Sequence, residues 1–373
     1  MKKVLSLLLS MMIVFAATSA LAEILIGGIA PLTGPVSVYG IAVKNAADLY
    51  VNQINADGGV LGEQVRIEWL DDKHDPTEAV NAFYRLVDTD GIAAILGPVT
   101  SAPVLAVVEP AGDDGIPLLT PTGTSDVITE AGIPNVYRSC FKDSFQGIVM
   151  ATFAAGSLDA KKVAVLYDNT SDYSAGIAEN FVAEAAELGM EVVANEAGVA
   201  TSGDFKAQLT NIAAAGPDAV FVPMYYNDVA LIAQQAHEVG IEVPLLGVDG
   251  WDGILDVMED TALLNGYFFC NHYAADDTNP KVVAFREAFE AAYGETPNAL
   301  AALGYDGIAI LLNAIEVAGS TDWDAINAAL SETSYEGVTG TVKYEDSGDP
   351  ANKAGVISVL EDGAIKFYER VEP

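Results

Sequence analysis

Short apolar runs alternate with helix-patterned segments along nearly the whole chain, and that alternation limits the possible folds more than any other feature. Residues 24–30 read as a strand, 41–54 as a helix, 65–70 as a strand and 75–88 as a helix opened by Asp75-Pro76. Apolar runs at 92–96 and 117–119 follow, each succeeded by a helical segment. Such runs, bounded by turn residues, fit strands buried on both faces. Strict βα alternation calls for a parallel sheet with right-handed crossovers and helices on both faces. After Tyr137 the pattern restarts, with helices at 145–158, 174–188, 205–214 and 228–239 between strands at 163–167, 191–195, 219–222 and 244–247. A strand at 267–270 leads to helices at 280–293 and 299–318, and 340–344, 355–360 and 364–369 are strand-like. The fold class is therefore α/β, with two doubly wound parallel-sheet lobes. No low-complexity linker separates them, so several chain crossings and a cleft between the lobes are expected.

Residues 95–126 place hydroxyl groups twice in equivalent positions. The run 92–96 ends at Gly97-Pro98 and is followed by Thr100, Ser101 and an apolar-periodic segment, which makes Ser101 the expected helix N-cap. The run 116–119 is followed by Thr120, Thr122, Gly123, Thr124 and Ser125. Two such strand ends side by side aim hydroxyls and unpaired helix N–H groups at one crevice, which favours an anion. The second unit has Asp168–Tyr173, Met224–Asn227 and Val248–Trp251 just past its strands' carboxyl ends. An acidic group there suits an ammonium, and aromatic faces cover it and exclude water. Open α/β sheets bind ligands beyond the carboxyl ends of their strands, so the pattern points to a small zwitterion.

Composition narrows the classes further. Lys2 and Lys3 precede the apolar run 4–17, and Ala20-Leu21-Ala22 precedes Glu23, as in a secretory signal peptide cleaved after Ala22. From Glu23 the chain holds 15 basic against 53 acidic residues, a formal charge of −38, which argues against nucleic acid or anionic lipid as partner. There are 3 histidines, and none belongs to a nucleophile or metal motif. His74 sits in a polar loop where Asp75 is the expected cap. An enzyme is accordingly disfavoured, and a DNA-binding repressor lacks its N-terminal helix pair. The 2 cysteines, Cys140 and Cys270, form a candidate disulfide in an exported chain.

The segments PLTGPVSVYG (31–40), INADGGVLG (54–62), DDKHDP (71–76), DNTSDYSAG (168–176), YYND (225–228) and LLGVDGWD (245–252), with the loops 97–101 and 120–125, carry a resemblance. Over nearly its whole length from Glu23, the chain resembles the periplasmic branched-chain amino acid (Leu/Ile/Val)-binding proteins of ABC importers, which have the type I periplasmic binding fold. The resemblance implies that Ser101 and Thr124, with main chain near Thr122, hold an α-carboxylate, and that Asp249 receives the α-amino group. It implies that Tyr173 and Tyr225 close over the ligand, and that Tyr39 and Leu300 wall the side-chain pocket. It implies no cofactor and no metal, a monomer, and ABC permease membrane subunits as partners. The departures are Asp249 where the family has Glu, Thr122 where it has a small residue, and Lys73-His74 with Thr100 in place of its early disulfide.

The resulting expectation is a periplasmic receptor that closes on a neutral, aliphatic amino acid. A sensory receptor acting through a membrane signalling partner is the alternative, with an exported enzyme behind it. Its lobes are expected at 23–139 plus 271–337 and at 140–270 plus 338–373, with hinge crossings near 138–142, 268–272 and 336–340.

Overall fold

The structure, a computed structural model, describes residues 23–200 and 202–372. The expected signal peptide lies outside the described residues. The first sheet contains β1 (Glu23–Ala30), β2 (Gln64–Asp71), β3 (Ile92–Leu96), β4 (Leu118–Thr120) and β5 (Val136–Arg138). Its order is β2-β1-β3-β4-β5 and every pairing is parallel. All of β3 is buried, as its unbroken apolar run requires. The second sheet contains β6 (Lys162–Asp168), β7 (Glu191–Gly198), β8 (Ala219–Phe221), β9 (Leu245–Gly247) and β10 (Tyr267–Asn271). β11 (Ser334–Gly337) and β12 (Gly340–Lys343) form a separate antiparallel ribbon, while β13 (Gly355–Glu361) and β14 (Ala364–Val371) extend the second sheet. That sheet runs β14-β13-β10-β9-β8-β6-β7, parallel from β7 to β10 and antiparallel through β13 and β14.

Helices cover both faces of each sheet. Ala299–Ala318 is long and apolar enough to cross a membrane, but it is mostly buried. Its Ile308, Leu311 and Ile315 pack with Ala47 and Val51 of the helix Ser37–Ala56 over the first sheet. Another apolar cluster joins Val36, Tyr39 and Leu300 to Val220, Trp251 and Phe269 of the second sheet's lobe, so the halves share packed surface.

Three segments among the described residues pass between the lobes. The first, at 139–142, joins β5 to the helix Asp143–Gly156, and the second follows β10. The third lies later than the expected 336–340. Val342 and Tyr344 pack in the first sheet's core with Ile24 and Leu96, and Tyr137 meets the Tyr344 ring at 4.9 Å. The chain therefore leaves for the second sheet between Tyr344 and Gly355. This segment is tied to the first crossing by a buried ion pair, Arg138 Nε to Asp349 Oδ1 at 2.7 Å.

The expected Cys140–Cys270 disulfide is not formed. Both residues are buried free thiols. Cys140 Sγ donates to the Gly123 carbonyl at 3.3 Å, and Cys270 lies in an apolar cluster with Phe141 and Ile357. Burial pushes the Cys140 thiol up to about 12 and also raises that of Cys270, so neither is a ready thiolate.

Candidate functional site

All eight residues singled out from the sequence line one small cavity between the lobes, about 260 Å³ of atom-free space. Ser101, Thr122, Thr124, Tyr39 and Leu300 come from the first lobe, and Tyr173, Tyr225 and Asp249 from the second. Val99 and the Gly250 main chain complete much of the wall, and among the described residues no lining side chain is basic.

The first-lobe end is rich in hydrogen-bond donors. The expected N-cap shifts by one residue: Thr100 is the cap, without a side-chain cap bond, and Ser101 opens the helix Ser101–Asp114. The first-turn N–H groups therefore face the cavity end unsatisfied by a side chain. Ser101 Oγ accepts from Ser125 N at 3.3 Å, leaving its own proton free to donate. Thr122 differs, because its hydroxyl donates to Val99 O at 2.5 Å. It fixes the loop and offers a ligand no proton. The Thr124 hydroxyl lies beside the Asp143 carboxyl.

His74 and Thr100 meet directly, His74 Nδ1 standing 2.8 Å from Thr100 Oγ1. Burial lowers the His74 pKa, so a neutral imidazole ties the two loops together. Asp75 caps the next helix through the Thr77 and Glu78 N–H groups, as expected.

The second-lobe end is organised around Asp249. Its Oδ1 accepts from the Tyr173 hydroxyl at 2.6 Å, its Oδ2 stands 3.2 Å from His272 Nε2, and its backbone N–H donates to Gln146 Oε1 at 2.9 Å. Burial lowers the His272 pKa. The neutral ring, stacked on Phe141 at 3.5 Å, therefore donates Nε2–H to the carboxylate without neutralising it. Asp143, fully buried, has its pKa pushed well above the carboxylate range by desolvation and by the charge of Asp249. The protonated form is favoured, which leaves a single negative charge at Asp249. Burial also keeps the Tyr39, Tyr173 and Tyr225 phenols protonated.

The aromatic wall is packed. Tyr173 stacks on Tyr225 at 4.7 Å, and Tyr39 meets Tyr225 edge-on at 5.7 Å. Tyr39 Oη donates to Gly250 O across the cleft, and Tyr226 Oη donates to Pro35 O at 3.0 Å. The lobes are thus closed on one another. A Cβ at Gly250 would stand 2.6 Å from Tyr173 Oη and 2.9 Å from Tyr225 Cδ1, so only glycine permits this approach.

Sequence reading missed Asp143, Gln146 and His272. Asp143 and Gln146 look like ordinary first-turn helix residues, and His272 follows a strand without any motif. Among the described residues no cluster of three or more His, Cys, Asp or Glu has the arrangement of a metal site.

Two α/β lobes closed over a small polar-ended cavity at the carboxyl ends of their strands define a solute-binding protein. The periplasmic binding protein family model matches residues 23–364, and the chain belongs to that family. The Leu/Ile/Val-binding protein BraC3 of Rhizobium johnstonii is 34% identical over 356 residues, covering 95% of this chain and 96% of that one. The crystal structure of the leucine-binding protein LivK of Thermotoga maritima superposes with a TM-score of 0.88 at 34% identity, covering 94% of this chain and 99% of that one. The branched-chain amino acid substrate-binding protein LivJ of Streptococcus pneumoniae, solved with isoleucine, gives 0.89 at 32% identity, covering 94% and 100%. All three relatives are named as binding proteins, LivJ as that of a transporter, and this chain is a binding protein rather than an enzyme.

Proposed function

We propose that the chain is the periplasmic receptor of an ABC importer and closes on a neutral, aliphatic amino acid. The observation that carries this reading is the polarity of this cavity, with free hydroxyl and helix N–H donors at one end and a buried carboxylate, Asp249, at the other. The carboxylate of the ligand meets Ser101, Thr124 and the start of the helix Ser101–Asp114. Its ammonium meets Asp249, and its side chain lies against Val99, Tyr39 and Leu300. The names of the relatives, which bind leucine, isoleucine and valine, agree with this choice.

Mechanistically, the open protein takes the ligand on the hydroxyl loops and the second lobe then swings over it. Ligand shifts this equilibrium only through contacts that exist in the closed form. Here those contacts are Asp249 and the tyrosine wall. The closed monomer delivers its load to the permease subunits in the membrane, after export and cleavage of the signal peptide following Ala22.

Calorimetry against leucine, isoleucine, valine, alanine, phenylalanine, 4-aminobutyrate, benzoate and 4-methylpentanoate tests the reading. Saturable one-to-one binding of an aliphatic amino acid, tighter than about 10 μM and so worth more than roughly 6.8 kcal/mol, is expected. Preference for benzoate or for 4-methylpentanoate, which lack the ammonium, would overturn it.

A further inference from the structure

The loop 31–36, which joins β1 to the helix Ser37–Ala56, is braced on the first lobe by Asp71 at the end of β2. Asp71 Oδ1 accepts from Leu32 N and from Lys73 N, both at 2.9 Å, and its Oδ2 accepts from Thr33 Oγ1 at 2.6 Å. Pro35, exposed in this loop, therefore offers its carbonyl from a fixed frame.

On the second lobe, the helix Tyr226–Glu238 starts directly after Tyr225, which lines the cavity. Its first two residues reach across to the other lobe. Tyr226 Oη donates to Pro35 O at 3.0 Å, and Asn227 Nδ2 donates to the same oxygen. A carbonyl oxygen has two lone pairs, so both are engaged. The Tyr226 ring, 2% exposed, meets Tyr39 edge-on at 5.1 Å. Beside it, a Cβ on Gly253 of the second lobe would stand 3.1 Å from Val38 Cγ1 of the first, so the lobes touch closely here.

Pro35, Tyr226 and Asn227 do not line the amino acid cavity. Their contacts therefore do not distinguish one ligand from another. They do depend on closure, because the donors lie 191 and 192 residues from Pro35 in the chain and on the opposite lobe. Opening separates all three groups and returns them to water.

We propose that Tyr226 and Asn227 are positioning residues that latch the closed form onto the Pro35 carbonyl and so set the affinity for every ligand by one common factor. The inference rests on the reading of the chain as a receptor that closes on its ligand. The ligand lands first on the hydroxyl loops of the open first lobe. The latch forms when the second lobe arrives with Tyr225, the residue just before it. Apparent affinity scales with the stability of the closed, binding-competent form, so the latch strengthens binding without touching the ligand. Its loss appears in the dissociation rate, while the landing step keeps its rate.

Calorimetry and stopped-flow kinetics with leucine and valine, on the chain from Glu23 onward, test this in Tyr226→Phe, Asn227→Ala and the double variant. One neutral hydrogen bond is worth enough that each single substitution should raise Kd roughly 2- to 10-fold, and the double at least about fivefold. The factors for leucine and valine should agree to within about twofold, and the loss should lie in the dissociation rate. The urea midpoint of ligand-free Asn227→Ala should match the wild type, which separates a latch from damage to the fold. If neither leucine nor valine binds the wild type, the same ratios are taken with the two panel compounds that bind most tightly. Failure of the amino acid reading is thereby distinct from failure of the latch. An unchanged Kd in the double variant, unequal factors for the two ligands, a loss carried by the association rate, or a lowered midpoint for Asn227→Ala would overturn the proposal.

Discussion

Replacing Asp249 by Asn isolates the one charge on which amino acid binding is proposed to depend. The substitution keeps the size of the side chain and an acceptor oxygen for the Tyr173 hydroxyl, now 2.6 Å away. It removes the negative charge opposite the ligand ammonium, in a residue only 5% exposed. A hydrogen bond to a charged group contributes roughly 1.5–3 kcal/mol. At about 1.4 kcal/mol per decade, Kd for the best-binding amino acid should rise about 10- to 150-fold. Asp249→Ala should cost more, because Tyr173 and His272 lose their acceptor as well. Calorimetry of the wild type and of Asp249→Asn, each with the amino acid and with its deaminated analogue, forms a double-mutant cycle. The analogue, having no ammonium, should bind the variant no worse than the wild type. Equal losses for both ligands, or an unchanged Kd for the amino acid, would refute the pairing of Asp249 with the ammonium.

Other perturbations test the frame around the site. Burial raises the Asp252 pKa from 3.8 to about 6, so the folded state binds its proton more tightly than the unfolded state does. The stabilisation from this group is complete below about pH 4 and is lost as pH rises through 6, roughly 3 kcal/mol in all. Urea unfolding from pH 4 to 7 should show the wild type losing stability relative to Asp252→Asn by that amount; a pH-independent difference would contradict it. Asp349→Ala leaves the buried Arg138 guanidinium unpaired and should cost about 3–5 kcal/mol, with Arg138→Met restoring part of the loss in the double variant. A thiol titration should find none reactive in the native protein and two per chain after unfolding without reductant; none after unfolding would reinstate the Cys140–Cys270 bridge.

Much of the frame was legible because βα alternation leaves few topologies open. The helices at 280–293 and 299–318 have the bounds read from sequence, and β3 coincides with its apolar run. Short or ambiguous elements were lost. Val136–Arg138 is three residues long, and Trp323–Ser331 was passed over despite Asp322 at its cap. The third crossing was placed too early because a short strand pattern does not say which sheet the strand joins. Residues 340–343 instead form a ribbon with β11 beside the first lobe. At the site, position just past strand ends pointed to the loops that hold Ser101, Thr124 and Asp249, and the family resemblance singled out those residues within them. Tyr39 and Leu300 needed the family resemblance, since an aromatic or leucine on a helix reads as core. Asp143 and His272 gave no signal because what matters is their distance from Asp249, 106 and 23 residues away in the chain.

The most direct test is a crystal structure of the protein soaked with the tightest-binding amino acid from the panel. The ligand should lie between the lobes with its carboxylate in hydrogen-bond reach of Ser101 and Thr124, and its ammonium on Asp249 beside Tyr173. A ligand bound in the reverse sense, or outside this cavity, would contradict the account.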